Sequence, residues 1–228
     1  MSLKQYTVRR GDTLSGISLA FDVSLIELLK ENPQISNPNL IRSGEQILVP
    51  TNEPHPSVHA TIANNNFPIN DVPLWLKIAY REEGVTEVGG SEHNPRILEY
   101  HASTRLNKIK AAKDETAWCS SFVNWCIEKA GLEGTNSAWA LDWDNWGIKL
   151  QKPTLGCVVV FSRTGVTNSG GHVGFYIDEG PSTIEVFGGN QRNSVNTSNY
   201  PKNGISGSFS YKHLSYLWPK DVELKESA

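Results

Sequence analysis

The sequence predicts an α+β protein in two parts: a small βααβ module, and a larger domain whose helix packs on an antiparallel sheet. Three observations predict it. Apolar residues recur at helical spacing twice within residues 14–29, and short strand-like runs bracket them. A helix-spaced stripe around residue 119 is followed by strand-like runs at 156–162, 172–178 and 183–187, separated by Gly-rich turns. Between the parts, residues 51–72 (TNEPHPSVHATIANNNFPINDV) are rich in Pro, Asn and short polar side chains and lack periodicity. They read as a linker, which sets the expected boundaries at 1–50, 51–72 and 73–228.

At 228 residues, with 38% apolar and 20% charged side chains, the chain has material for one ordinary domain plus a smaller one. A net charge of −3 gives no reason to expect nucleic-acid binding, which leaves a basic stripe. No apolar run approaches the roughly 18 residues of a membrane span, so none is expected. The opening MSLKQYTVRRGDTL has no apolar h-region and reads as a chain made in the cytoplasm without a secretory signal. Three cysteines (Cys119, Cys126, Cys157) are too few and odd in number for a disulfide framework. None has CxxC spacing or a histidine close by in sequence, so no metal and no other cofactor is expected.

In the first part, residues 6–8 read as a short strand, followed by a Gly11-Asp12 turn. Leu14, Ile17, Ser18 and Phe21 recur at helical spacing, with Thr13 or Asp12 as the N-cap. A second helix starts near Ser24 and carries Leu25, Leu28 and Leu29 on one face. It stops at Asn32-Pro33, because Pro disfavours helix in the residue before it. Gly44 leads into a last strand over 46–49, closed by Pro50.

The segment YTVRRGDTLSGISLAFDVSLIELLKENPQISNPNLIRSGEQILVP closely resembles a LysM repeat over its whole length. The YTV-x-x-GDTL opening, the V-S-x-x-x-L second helix, the NP turn and the G-x-x-ILVP ending carry the match. The resemblance implies binding of N-acetylglucosamine-containing glycans, chiefly peptidoglycan and chitin, in a shallow groove between two loops. On this chain those loops are 11–14 and 39–41. Gly11, Asp12 and Thr13 would offer backbone amides and a carboxylate to acetamido groups, while Leu14, Leu40 and Ile41 would cover the methyl. Gly11, Leu14 and Ile41 serve the turn and the core equally well, so both roles stay open.

In the second part, residues 75–81 and 94–104 look helical, with Leu76, Ile78 and Ala79 in the first. The helix that matters spans 117–130. Cys119, Phe122, Val123, Cys126 and Ala130 lie along one face, and Thr116 as N-cap would place Cys119 in the first turn. A thiol there meets unpaired amides and the positive end of the helix dipole, which favour the thiolate that cysteine nucleophiles need. The run CVVVF within 156–162 signals a buried strand. A polar, Gly-rich loop follows, and His172 opens HVGFYID. The next strand, 183–187, ends in Gly188-Gly189-Asn190-Gln191. Gly170 and Gly171, just before His172, would allow close approach of the helix tip. Cysteine, then histidine on a following strand, then a polar side chain on the next is the order of many papain-like enzymes. The roles are nucleophile, general base and a group that holds the imidazole tautomer. Cys126, Cys157, His93, His101 and His213 read as structural, and His55 and His59 as solvated linker residues.

The segments NPRILEYH, DETAWCSSFVNWCIEKAG, GGHVGFY and VFGGNQ are similar to a bacterial and phage branch of papain-like amidases related to CHAP and NlpC-type cell-wall hydrolases. The similarity covers about residues 73–218. It implies Cys119 as nucleophile, His172 as base and Asn190 as the third member. The third residue is commonly His in NlpC-type enzymes, and Gly188 stands where CHAP enzymes often carry a Glu two residues before that Asn. Gln191 and Glu185 are therefore rivals of Asn190. The oxyanion hole is expected at the Cys119 amide, with a neighbouring donor at Trp118 or Ser120. Core packing is the default for most of the tryptophans around residue 119; the alternative is that Trp118, beside the thiol, and the 139–146 loop wall a groove for a peptide stem or sugar.

Together the two resemblances imply hydrolysis of an amide bond in peptidoglycan, whose glycan strands and stem peptides are the expected partners. The reaction would be that of an N-acetylmuramoyl-L-alanine amidase or an endopeptidase, through a thioester. An unsignalled wall hydrolase fits a phage endolysin, or an antibacterial effector that a secretion apparatus exports and a cognate immunity protein neutralises. Either would act in the periplasm or wall. Two other classes stay open on the residues: a wall-binding structural component with an inactive domain, and a papain-like enzyme acting on protein.

Overall fold

A computed structural model describes residues 2–9, 12, 14–21, 23, 25–35, 37, 41–51, 72–165 and 170–224. It resolves into two compact units, Met1–Ile69 with Tyr80–Gly84, and Asn70–Ala79 with Val85–Ala228. The linker expected over 51–72 lies outside the described residues except at its two ends.

In the first unit, β1 (Ser2–Thr7) pairs antiparallel with β2 (Gln46–Thr51), from Ser2↔Thr51 to Thr7↔Gln46, and α1 (Leu14–Phe21) and α2 (Leu25–Lys30) lie between them in sequence. The expected strand-helix-helix-strand order holds. Both strands run longer than the apolar patterning suggested, because ladder hydrogen bonds carry polar Lys4 and Gln5 as readily as Tyr6. Val8, Leu14, Ile17, Val23, Leu28, Ile47 and Val49 form the core, flanked by Tyr6, Phe21, Leu29, Ile35 and Ile41. Asn32 does more than end a helix. Its buried amide donates to the carbonyls of Leu28 and Leu48, each at 2.6 Å, and its oxygen accepts from the Leu48 N–H at 2.8 Å. One side chain thus pins the end of α2 to β2 and satisfies three backbone groups.

In the second unit the helices come first: α3 (Leu74–Tyr80), α4 (Pro95–Ala102), α5 (Lys108–Ala111) and α6 (Cys119–Lys129). Asn94 caps α4 by accepting from the Arg96 N–H at 2.9 Å, and Pro95 takes the first helical position, where no N–H is needed. A 3-10 turn (Ala140–Asn145) then leads into a seven-stranded sheet: β3 (Ile148–Leu150), β4 (Val158–Thr164), β5 (His172–Glu179), β6 (Thr183–Gln191), β7 (Ser194–Pro201), β8 (Asn203–Ser206) and β9 (Phe209–Trp218). The order is β3-β9-β4-β5-β6-β7, with β8 on β9, and every pair is antiparallel.

Helix α6 packs on β5 and β6, with Phe122 against Phe175, ring centroids 6.4 Å apart. The amphipathic stripe expected for it is not what forms. Cys119 through Ile127 are all buried, since α4 covers its other side with Tyr100 against Phe122 and Trp125, each at 5.3 Å. Arg96 lays its guanidinium over Trp125 at 4.3 Å. Thr116 is not the N-cap: its hydroxyl donates to the Lys110 carbonyl, and Trp118 holds the cap position without a side-chain bond. That makes Cys119 the first helical residue.

Candidate active site

The packing of α6 on β5 and β6 sets the start of the helix, with Cys119, against the sheet in which His172 opens β5. The backbone N–H groups of Val173, the residue after His172, of Ser120 and of Cys119 itself favour the ionised form of the Cys119 sulfur. Both side chains are closed off, Cys119 at 7% exposure and His172 at 3%. Burial pushes the Cys119 thiol up in pKa, against those amides and the Arg163 charge. Burial likewise pulls the His172 imidazole down to about 4, against its bond with Gln191. The resting pair is therefore neutral thiol and neutral imidazole. The thiolate favoured by the helix end is overridden, because a helix terminus contributes about 0.3–1 kcal/mol while desolvation moves a pKa by several units.

The side chain bonded to His172 is that of Gln191, not that of Asn190. His172 Nε2 lies 3.0 Å from Gln191 Oε1, within a buried setting. The Gln191 amide nitrogen donates to the carbonyls of Val186, at 3.2 Å, and of Asn196. Those acceptors need a donor, which leaves the Gln191 oxygen facing the imidazole. His172 therefore carries its proton on Nε2, and Nδ1 is its free basic nitrogen. A β-bulge explains the exchange of neighbours: the β6–β7 register shifts between Gly188 and Gln191. Asn190 sits there at φ 57, half-buried, and the extra residue turns Gln191 inward. Glu185, the other rival, lies on β6 opposite Asp178.

Tyr200 on β7 completes the imidazole's surroundings, stacked on His172 at 4.7 Å and 28°. Nothing in the polar run SVNTSNYP signals it in the sequence. His172 pairs with Phe161 on β4, and Phe161, Tyr200 and Tyr211 pack behind it.

Trp118 does not wall a groove. It is fully buried, its indole N–H donates to Glu87 at 2.8 Å, and its ring tilts against Tyr100 at 5.9 Å. Gly189 makes this possible, since a Cβ there would come within 2.4 Å of the Trp118 ring. Trp143 is also core, donating to Ser120 Oγ at 2.8 Å, and Ser120 Oγ in turn donates to the Ser137 carbonyl. Trp139 is the exposed tryptophan of the 139–146 stretch, at 47%. Its ring rests on Gly170, where a Cβ would approach within 2.0 Å. The glycines before His172 thus admit Trp139 and Leu141 rather than the helix tip.

Cys126 and Cys157 are buried and in no disulfide, and burial holds the Cys157 thiol up at about 12. His101 is buried, with Nδ1 3.0 Å from Ser121 Oγ, and burial lowers its pKa. His93 Nδ1 lies 3.0 Å from Asp114 and 3.4 Å from Glu115, the set among the described residues with metal-ligand spacing. Asp114 already clamps two loops through the amides of Val88 and Asn94, both at 2.8 Å. Burial raises the Asp114 carboxyl, but those amides outweigh it and hold it below its usual range.

Of the glycan-contact candidates, Gly11, Thr13 and Leu40 lie outside the described residues. Leu14 is a core residue at 1% exposure, so its side chain is not at the surface to cover an acetamido methyl. Ile41 sits half-buried at the core's edge. Asp12 accepts from the Tyr6 hydroxyl and the Arg9 N–H, each at 2.7 Å, which fixes the turn after β1.

The chain is a βααβ module followed by an α+β domain that carries a cysteine at a helix start and a histidine at the start of a neighbouring strand. Residues 6–50 match the LysM domain family model, and residues 111–190 match that of the CHAP domain. The chain carries a LysM domain followed by a CHAP domain. This pairing supports a cell-wall-binding peptidoglycan hydrolase in general, and the CHAP domain an amidase or peptidase.

Proposed function

We propose that this chain hydrolyses an amide bond of peptidoglycan with Cys119 as nucleophile, His172 as general base and Gln191 as the residue that orients the imidazole. The observation that carries it is the Gln191–His172 bond of 3.0 Å, which leaves Nδ1 basic, together with a sulfur whose ionised form the amide of residue 173 favours. As the sulfur attacks the substrate carbonyl, its proton passes to Nδ1 of His172. The imidazolium forms in the transition state, and Gln191 Oε1 steadies the opposite N–H. The amides of Cys119 and Ser120, in the first turn of α6 where a helix has no intrahelical acceptors for them, serve as donors to the developing oxyanion. Collapse expels the amine, which takes the proton from His172 and leaves a thioester. Water, deprotonated by the same imidazole, attacks the thioester, and Cys119 leaves as thiol.

The LysM domain holds the chain on glycan strands, so a modest catalytic affinity acts at raised local concentration. Action in the wall or periplasm follows, whether delivery is by phage lysis or by export as an antibacterial effector. The effector role predicts a cognate immunity protein, and protection assays with such a protein distinguish the two.

Digestion of purified peptidoglycan by the chain and by Cys119→Ala tests the proposal, with products resolved by mass. Products from the unmutated chain alone support it, and their masses separate sugar–peptide from peptide–peptide cleavage. Binding to the sacs with no product from either chain sinks it.

A further inference from the structure

The imidazole of His172 is held on one edge and on one face. Gln191 holds the edge at Nε2, 3.0 Å away, and Tyr200 covers the face, with ring centroids 4.7 Å apart and planes 28° from parallel. Tyr200 is itself held. Phe161 of β4 lies 5.4 Å from its ring at 36°, and Tyr211 of β9 lies 5.1 Å away at 63°. Strand pairing sets these positions, since Phe161 is the register partner of His172 and Tyr200 that of Ile184. At 8% exposure Tyr200 is fixed by packing before any substrate arrives. Its phenol also feels the Cys119 sulfur, so the ring lies within electrostatic reach of both proposed reacting side chains. The proposed mechanism asks much of this setting. Attack makes a positive imidazolium, and burial disfavours that charge. Gln191 meets it with a neutral oxygen rather than an anion. Among the described residues, the ionised side chain whose charge acts on His172 is Arg163 on β4, and its sign opposes the imidazolium.

We propose that Tyr200 is a positioning residue for the reaction, whose π face fixes the plane of the His172 ring and stabilises the positive charge that His172 takes on during attack. This rests on the amidase or peptidase reading and adds a residue to that site. The face of an aromatic ring carries the negative part of its quadrupole and attracts a cation within about 6 Å of its centre, more strongly where water is excluded. A neutral imidazole gains less from the same face, so the ring favours the transition state over the resting pair. An aliphatic side chain at this position would supply burial alone. The attraction corresponds to between about two-fold and about thirty-fold in kcat.

The test uses the full chain with Tyr200→Phe as the parent of a series, the same position then filled by phenylalanines bearing one, two or three ring fluorines. Fluorine withdraws electron density from the face and leaves the shape of the ring nearly unchanged, so packing and charge stabilisation separate. Values of kcat and KM are read on a soluble muropeptide, and Tm is followed to confirm that packing is kept. The His172 pKa is read by NMR of the ring nitrogens in the same series carrying Cys119→Ala. Stepwise falls in kcat and in the His172 pKa with fluorine number, at constant KM and Tm, support the proposal, with kcat falling by up to about thirty-fold. A His172 pKa that stays level along the series overturns it, and so does a level kcat in an active series. A falling pKa with no turnover by any chain, the unmutated one included, would uphold the hold of Tyr200 on the imidazolium while sinking the hydrolase reading. Turnover with a level pKa would do the reverse, and a level pKa without turnover would overturn both.

Discussion

Replacing Gln191 by Ala removes the oxygen that accepts from His172 and the donor that satisfies Val186 and Asn196. Two consequences separate. For catalysis, Nε2–H loses its partner, so the imidazole no longer favours the tautomer with a basic Nδ1. A hydrogen bond in a buried setting contributes about 1–3 kcal/mol, which corresponds to roughly a 10- to 100-fold fall in kcat, with KM little changed. For stability, buried carbonyls left without a donor cost about 1–3 kcal/mol each, so a fall of several degrees in Tm is expected. The control is Asn190→Gly, because glycine accepts φ 57 without strain while losing the side chain. It is expected to keep activity within about three-fold, since no catalytic hydrogen bond is lost. Steady-state cleavage of a soluble muropeptide is the assay, at a temperature where circular dichroism shows every variant folded. If Asn190→Gly falls as far as Gln191→Ala, or Gln191→Ala is as active as the unmutated chain, the bulge argument fails.

Stability is expected to fall in acid. The buried His172 titrates at about 4 in the folded chain, against an ordinary value of 6.5. Between those values only the unfolded chain binds the proton, so stability is complete above about pH 6.5 and is lost as pH falls toward 4, by roughly 3 kcal/mol from this residue. His101 and His213, also lowered by burial, add slope of the same sign. Denaturant melts across that range check it, with His172→Leu expected to flatten the slope in part; an unaltered slope counts against the burial. Gly189→Ala drives a methyl into Trp118 and Phe122, at 2.4 and 2.7 Å. It is expected to destabilise the CHAP domain by about 1–3 kcal/mol, read as a lower Tm, and an unchanged Tm refutes the close contact. Asn32→Ala strands three backbone groups in the LysM domain, at a cost of about 2–4 kcal/mol that rivals the stability of a unit of roughly 50 residues. Cosedimentation with peptidoglycan sacs in the Cys119→Ala background is expected to drop, and undiminished binding contradicts the pin.

What the sequence showed was local. The spacing of Leu14, Ile17 and Phe21, the turn at Asn32-Pro33 and the helix start before Cys119 are each set by neighbours within a few residues. The run CVVVF announced β4, and HVGFYID announced β5. The polar strand SVNTSNYP did not announce β7, because its place is set by pairing with β6 rather than by its own composition. The exchange of Asn190 for Gln191 was hidden for a similar reason. Side-chain direction along a strand alternates until a bulge breaks the count, and the bulge depends on how two strands meet. The residues GGN hinted at it, since Gly and Asn tolerate positive φ. Trp118 was misplaced because adjacency to the thiol in sequence says nothing of direction, and the ring turns away to Glu87. The charge state of Cys119 depended on how many elements closed over α6, which no spacing reveals.

That closure bears on how long the protein lasts once outside a reducing compartment. Peroxides and alkylating agents react with thiolate, and do so in proportion to access. All three cysteines are buried, and Cys119 and Cys157 are held in the thiol form. None is joined in a disulfide, so no oxidation step is needed to complete the fold. In the proposed mechanism the nucleophile becomes reactive only by giving its proton to His172 during attack, which spares it the side reactions that an always-ionised cysteine suffers. The expected signature is slow labelling of the native chain by iodoacetamide at neutral pH. Durability under oxidant and restraint toward the wrong electrophile then come from the same few ångströms of packing around α6.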